Sequence, residues 1–377
     1  MANRMTGRDR FWMRRLTRRR LLTTTALGAA GLATAALVGC GDDGETLNFS
    51  NWPYYMDEKT NGQFKDEFGV SVNYKEDIND NNEYFAVIQP DLSAGNDIGR
   101  DIIVLTDWMA ARLIRLGWVQ ELDKTNIPNW ENLREGLRDV AFDPGRKYSL
   151  PWQSGFTAIA YNAAFTGREL TKIEDIFDPA FAGHVTMLTE MRDTVGLTMA
   201  AMGLDPEAAT VADGRAAIER IQQFVDNGHI RRFTGNDYGA ELSRGDVWVA
   251  YAWSGDVIGL QADNPDLKWL FPEEGFHMWT DNMMIPVKAQ HKKTAETYMN
   301  FYYRPKIQAQ VEAYVTFIPP VDHALVKAEM ENFDPELINE PLVFPSEADL
   351  AKAFVFKPLD EDEEREFDEM FADLIGA

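Results

Sequence analysis

Residues 47–74 read LNFSNWPYYMDEKTNGQFKDEFGVSVNY. Leu47, Asn48 and Phe49 begin an alternating strand. A helix is expected over about 57–68, with Phe64 and Phe68 on one face and Gly69 as its stop, and Val70, Val72 and Tyr74 then alternate as a second strand. Strand, helix and strand within so few residues make a βαβ unit, which implies parallel pairing. Working outward, a helix beginning near Glu83, an apolar strand over 102–105 and a helix over 108–116 closed by Gly117 extend the pattern. It predicts an α/β fold with a parallel sheet covered on both faces. A second α/β set begins around Gly155, with strands near 157–161, 185–188 and 247–251 and helices near 195–202 and 213–227. Two lobes follow. Residues 283–286 and a helix over 292–303 read as a further βα unit returned to the first lobe. A C-terminal helix over 360–374 places Phe367, Met370, Phe371 and Leu374 in one apolar stripe, its acidic remainder reading as a wet face.

The N-terminal 39 residues have a different character. Thr17-Arg18-Arg19-Arg20-Leu21-Leu22 precedes an apolar or hydroxyl-bearing run to Val38, and Leu37-Val38-Gly39-Cys40 holds the chain's single cysteine. This reads as a signal peptide of the twin-arginine (Tat) type ending in a bacterial lipobox. Cleavage before Cys40 leaves a lipid-bearing N-terminus on a short tether, residues 40–46, and two or more acyl chains suffice for stable anchoring. Eight Arg and one Asp lie in residues 1–39, so the 37 basic and 61 acidic residues of the whole chain become 29 and 60, a net charge near −31. Such acidity argues against nucleic acid or anionic lipid as a partner and mildly favours cationic ligands, although a solvated acidic surface suited to high salt gives the same count. The remaining length suits two sizeable cores.

Ligands of open α/β sheets bind beyond the carboxyl ends of the strands. Trp52, Trp108 and Trp253 fall at such ends, and Trp279 stands two residues before Asp281. An ammonium over an indole face gains roughly 0.5 to 2 kcal/mol, and once desolvated it also needs a carboxylate. Aromatic walls with acidic ends therefore suit an elongated aliphatic amine. Trp118, Trp130, Trp152, Trp248 and Trp269 read as core, Tyr302 and Tyr303 as packing, and residues 81–83 and Asp256 as helix caps. Asp193 reads either as a ligand residue or as an N-cap. His184, His229, His277, His291 and His323 have no metal-ligand spacing, so no metal is expected. Gly-x-Ser-x-Gly, His-Glu-x-x-His, a catalytic cysteine and a phosphate-binding loop are all missing, so neither enzymatic chemistry nor a cofactor is expected.

Several stretches together carry a family resemblance: Asn51-Trp52 with Tyr55; Asp101-Ile102-Ile103-Val104; Ser149-Leu150-Pro151; Leu188-Thr189-Glu190 with Arg192-Asp193-Thr194-Val195; Trp253-Ser254-Gly255; and Trp279-Thr280-Asp281 with Ile285-Pro286. In their order and spacing the chain resembles the spermidine/putrescine-binding proteins, the extracytoplasmic components of polyamine ABC transporters. The resemblance implies a two-lobed type II periplasmic-binding-protein fold crossed near residues 150–156 and 278–282. Lobe 1 would be residues 47–152 plus 282–322, and lobe 2 residues 153–281 plus 323–377. It implies that Trp52, Tyr55, Trp108, Trp253 and Trp279 line the cleft while Asp281, Asp193 and Glu190 take the ammonium groups. A monomeric receptor delivering polyamine to a membrane permease would result. Three departures stand out. Phe317, in Thr316-Phe317-Ile318-Pro319, replaces a frequent tyrosine; the family's late glutamine falls near Phe356 or Lys357; and the spacing at Glu190 is one residue shorter. The alternatives are the same fold binding an amino acid or ferric complex, or an extracellular carbohydrate-acting protein.

Overall fold

The structure is a computed structural model that describes residues 45–376. The expected signal peptide, Cys40 and nearly all of the tether lie outside these described residues.

Strand β1 (Thr46–Asn51) buries Leu47 and Phe49, helix α1 (Thr60–Phe68) ends at Gly69 in the left-handed region (φ 72°), and β2 (Ser71–Glu76) pairs in parallel with β1. The helix starts later than its apolar spacing suggests, because the Asp57 carboxylate accepts the Lys59 N–H at 2.8 Å and holds a turn there. Phe49 shows why alternation specifies this register: its ring meets Tyr74, Trp152 and Tyr298 edge-on at 5.3, 5.5 and 5.4 Å. Helix α2 (Asn81–Ser93), strand β3 (Ile102–Thr106), parallel to β1, and helix α3 (Asp107–Arg115) complete this group.

The second group follows a long strand, β4 (Ser149–Asn162), every residue of which is buried. It contains β5 (Val185–Leu188), α4 (Met191–Ala201), α5 (Val211–Asp226), β6 (Ile230–Thr234), α6 (Tyr238–Arg244), β7 (Val249–Trp253), α7 (Ser254–Asp263) and β8 (Leu267–Trp269). Strand β9 (Phe276–Met284) then leads to α8 (Lys292–Tyr302), α9 (Pro305–Val315) and α10 (His323–Met330); β10 (Ala353–Phe354) and α11 (Glu361–Ile375) close the chain.

Strands neighbour one another in the order β2-β1-β3-β9-β4-β7-β5-β6, with β10 on β9 and β8 on β4. β5 is parallel to both β6 and β7, whereas β9 runs antiparallel to β3 and β4, and β4 antiparallel to β7. β9 joins the first group through residues 281–284, and β4 joins the second through 157–161, so this antiparallel pair carries the chain between two parallel groups. The expected βα unit at 283–286 is thus the end of a longer antiparallel strand. β4 and β9 are neighbours in the sheet although residues 163–275 separate them in the chain, so no local strand–helix pattern marks their pairing.

One apolar core gathers Leu47, Phe49, Trp152, Tyr298 and Val311, and another gathers Met187, Val195, Ile221, Tyr251 and Phe367. Val326, Met330, Leu337 and Phe344 pack in the first core, where the sequence-based division placed residues 323–377 in the second lobe. Leu133 bridges Val321 just ahead of α10 and ties that segment to the first core. Phe354, Phe356, Phe367, Phe371 and Leu374 belong to the second.

Candidate functional site

A cleft of about 620 Å³, counting the part open to solvent, lies between the two groups, lined by Trp52, Pro53, Tyr54, Tyr55, Asn81, Thr106, Glu190, Asn236, Trp253, Asp256, Trp279, Asp281, Val315 and Phe317. Strand ends and strand crossings position these side chains. Asp281 stands opposite Thr106 in the β3–β9 register and accepts the Thr106 hydroxyl at 2.8 Å and the Tyr55 hydroxyl at 2.9 Å. Asn81 donates to Thr106 Oγ1 at 2.9 Å and, across the cleft, to Glu190 Oε2 at 3.2 Å. That last bond links the two groups across the cleft. Trp52 Nε1 donates to the Val104 carbonyl at 3.0 Å, which fixes its indole at the end of β1.

The aromatic walls depend on two glycines. Gly155 faces Trp279 across β4 and β9, and a Cβ on it would come within 2.4 Å of the indole. A Cβ on Gly255 would meet the Phe317 ring at 2.7 Å. Phe317 in turn lies 5.5 Å from Trp279 and edge-on to Tyr55 at 5.3 Å. Just before it, Thr316 adopts φ 59° and donates its hydroxyl to the Gly255 carbonyl at 3.0 Å.

Three carboxylates line this space. Burial pushes Asp281 up to about 7, aided by the charges of Asp107 and Asp193 and opposed by the Thr106 and Tyr55 hydrogen bonds. Burial also raises Glu190 to about 8, with Asp80 adding to the effect and the Arg192 guanidinium opposing it. Asp256, in the first turn of α7, accepts from the Tyr238 hydroxyl at 2.9 Å and from Asn236 at 3.3 Å. Among the described residues, no lysine or arginine lines the cleft. The arrangement disfavours anions and leaves acidic groups that a cation would return to their ionised form.

Of the residues singled out from sequence, Trp52, Tyr55, Glu190, Trp253, Trp279, Asp281 and Phe317 line the cleft, whereas Trp108 and Asp193 do not. Trp108 is covered by the Arg192 guanidinium at 3.7 Å, with Arg112 at 5.3 Å, so a cation of the chain itself already occupies its face. Asp193 is buried under Trp253, Thr157 and His277. Conversely, Asn81 and Asp256, which read as caps, line the cleft. The cap of α2 is Asp80, whose carboxylate accepts the N–H groups of Asn82 and Glu83 at 2.8 and 3.1 Å. The Trp253-x-x-Asp256 spacing did carry a signal, since residues three apart share a helix face. Thr106 and Asn236 had none of their own. Lys357 points away, pairing with Glu363 at 2.6 Å, and Phe356 is core. His277 is a satisfied interior histidine.

The model of the bacterial extracellular solute-binding proteins matches residues 62–337. The spermidine/putrescine-binding periplasmic protein of Escherichia coli (strain K12) is 26% identical over 322 residues, covering 85% of this chain and 88% of that protein. A putrescine-binding periplasmic protein of Pseudomonas aeruginosa (strain UCBPP-PA14) is 28% identical over 366 residues, covering 92% and 95%. The solved structure of a Treponema pallidum lipoprotein superposes with a TM-score of 0.76 at 20% identity, covering 88% of this chain and all of that one, and so shares the two-lobed fold. Most of the chain matching one family model, on a fold with an acidic, aromatic cleft between two lobes, establishes that it belongs to the bacterial extracellular solute-binding proteins.

Proposed function

We propose that the cleft captures a linear polyamine of the putrescine or spermidine class for uptake by an ABC permease. The observation that carries this reading is the lining itself: Asp281, Glu190 and Asp256 stand among Trp52, Trp253 and Trp279, with no basic side chain among the described residues of the lining. Methylenes would lie between indoles while ammonium ends meet carboxylates. Two relatives named for binding spermidine and putrescine, matched along most of their length, support the same class. The reading makes the chain a receptor without chemistry of its own. It is a monomer anchored outside the cytoplasmic membrane by lipid on Cys40, which metabolic fatty-acid labelling checks.

Asp281 tests the proposal. Asp281→Asn keeps the shape and removes the charge, leaving a desolvated ammonium unpaired, which typically costs about 2 to 5 kcal/mol or roughly 30-fold to several thousandfold in affinity. Putrescine binding by Asp281→Asn within about twofold of the parent at matched ionic strength would remove Asp281 from the ligand set.

A further inference from the structure

We infer that Asp193 is a positioning residue that fixes the two indole walls, and not an ammonium ligand; the inference rests on the proposed polyamine reading of the cleft. Thr157 on β4 lies opposite Trp253 on β7 and opposite His277 on β9, so the three form one row across the sheet. Asp193, third residue of α4, stands over that row. Its Oδ2 accepts the Trp253 Nε1–H at 2.9 Å, and its Oδ1 accepts the Thr157 hydroxyl at 2.6 Å and lies 2.6 Å from His277 Nδ1. Thr157 Oγ1 is also an acceptor, taking the Trp279 Nε1–H at 3.0 Å. Trp253, Asp193, Thr157 and Trp279 therefore form one hydrogen-bonded line that sets both ring planes. With Asp193 only 1% exposed and outside the cleft lining, its oxygens face these donors and not the ligand space. Such a line holds the walls before ligand arrives, so binding orders less.

Hydrogen bonding and charge separate cleanly in two substitutions. An asparagine at this position can still accept from Trp253 and donate to the other tautomer of His277, and Thr157 loses the acceptor for its hydroxyl hydrogen while Oγ1 still accepts from Trp279, whereas an alanine leaves both Trp253 and Thr157 donors without partners. The experiment records indole N–H cross-peaks of the ¹⁵N-labelled unliganded protein, assigned by single Trp→Phe replacements, together with putrescine titrations of the same samples. Asp193→Asn should keep the Trp253 and Trp279 signals near their parent positions and weaken binding by less than about tenfold. Asp193→Ala should move both signals and weaken binding about a hundredfold. Thr157→Val should move Trp279 alone, and with Asp193→Asn it carries the test if Asp193→Ala fails to fold. Equal losses for Asn and Ala, as large as that of Asp281→Asn and with unmoved indole signals, would make Asp193 a direct ammonium partner. Because the spectra need no ligand, unmoved signals in Asp193→Ala or Thr157→Val overturn the inference even if the parent binds no polyamine.

Discussion

Asp281 and Glu190 keep their protons to higher pH than exposed carboxylates do. Burial sets them at about 7 and about 8, so below about pH 6 the empty cleft is largely neutral at these positions. A polyammonium ligand requires their ionised form, so binding expels protons and affinity should rise with pH, most steeply below about pH 7, and level above about pH 8.5. The sign for the unliganded fold is opposite. Both folded-state pKa values lie above unfolded values near 4, so the fold holds protons the unfolded chain has lost, and this contribution to stability falls as pH rises from about 4 through 8. Ligand should restore it, giving a larger polyamine-induced rise in Tm at about pH 8 than at about pH 5.5. Calorimetry in buffers of different ionisation heat should register release of about one proton per ligand near pH 7; a pH-independent affinity with no buffer dependence would contradict the protonated cleft. Single residues were partly legible in the sequence. Tryptophans at strand ends are visible because an indole just after an apolar strand must face the carboxyl edge. Whether its face is free depends on a distant partner, as Arg192 over Trp108 shows, and local sequence holds no record of that.

Among elements, α11 departs most from its sequence reading. Its apolar stripe packs as expected, with Phe367, Phe371 and Leu374 buried, yet its acidic face is not uniformly wet. Glu364 stands three residues before Phe367, on the same stripe, so the spacing contained its burial and the charge concealed it. Its Oε1 lies 3.0 Å from Arg112 and 3.2 Å from Arg192, and its Oε2 lies 2.9 Å from Arg115, while Asp368 meets Arg112 at 2.9 Å. Arg112 and Arg115 belong to α3, whereas Arg192 lies on α4 and Glu364 on α11 of the second group, so the pairs of Arg112 and Arg115 clasp the two groups together. Removing one partner of a fully buried pair costs about 3 to 5 kcal/mol, but Asp368 remains and Arg115 is 42% exposed, so a smaller effect of about 1 to 2 kcal/mol is expected for Glu364→Gln. Stopped-flow displacement should read this as roughly tenfold faster polyamine release. An unchanged release rate would show that the clasp does not bias closure. The parallel units were legible because strand and helix periods alternate. The β4–β9 crossing was not, since two long buried strands read only as apolar runs.

At the scale of the whole molecule, the strong negative charge and the acidic cleft act together. The first raises the local concentration of cations and the second selects among them, because an ammonium ligand is held only where a carboxylate and an aromatic face coincide. Charge was readable from composition; the cleft was readable through its strand-end aromatics and the resemblance they carry. The partners that hold those aromatics come from four separate segments, around Asp193, Thr157, His277 and Gly255, and only folding brings them together. The most direct test of the central claim is isothermal titration of the chain from residue 41 onward with putrescine, spermidine, glutamate and an oligosaccharide at about pH 8. The polyamines should bind at one per chain with micromolar or tighter affinity, and the other two should give no heat of binding. Saturable heat from glutamate or the sugar, with none from either polyamine, would contradict it.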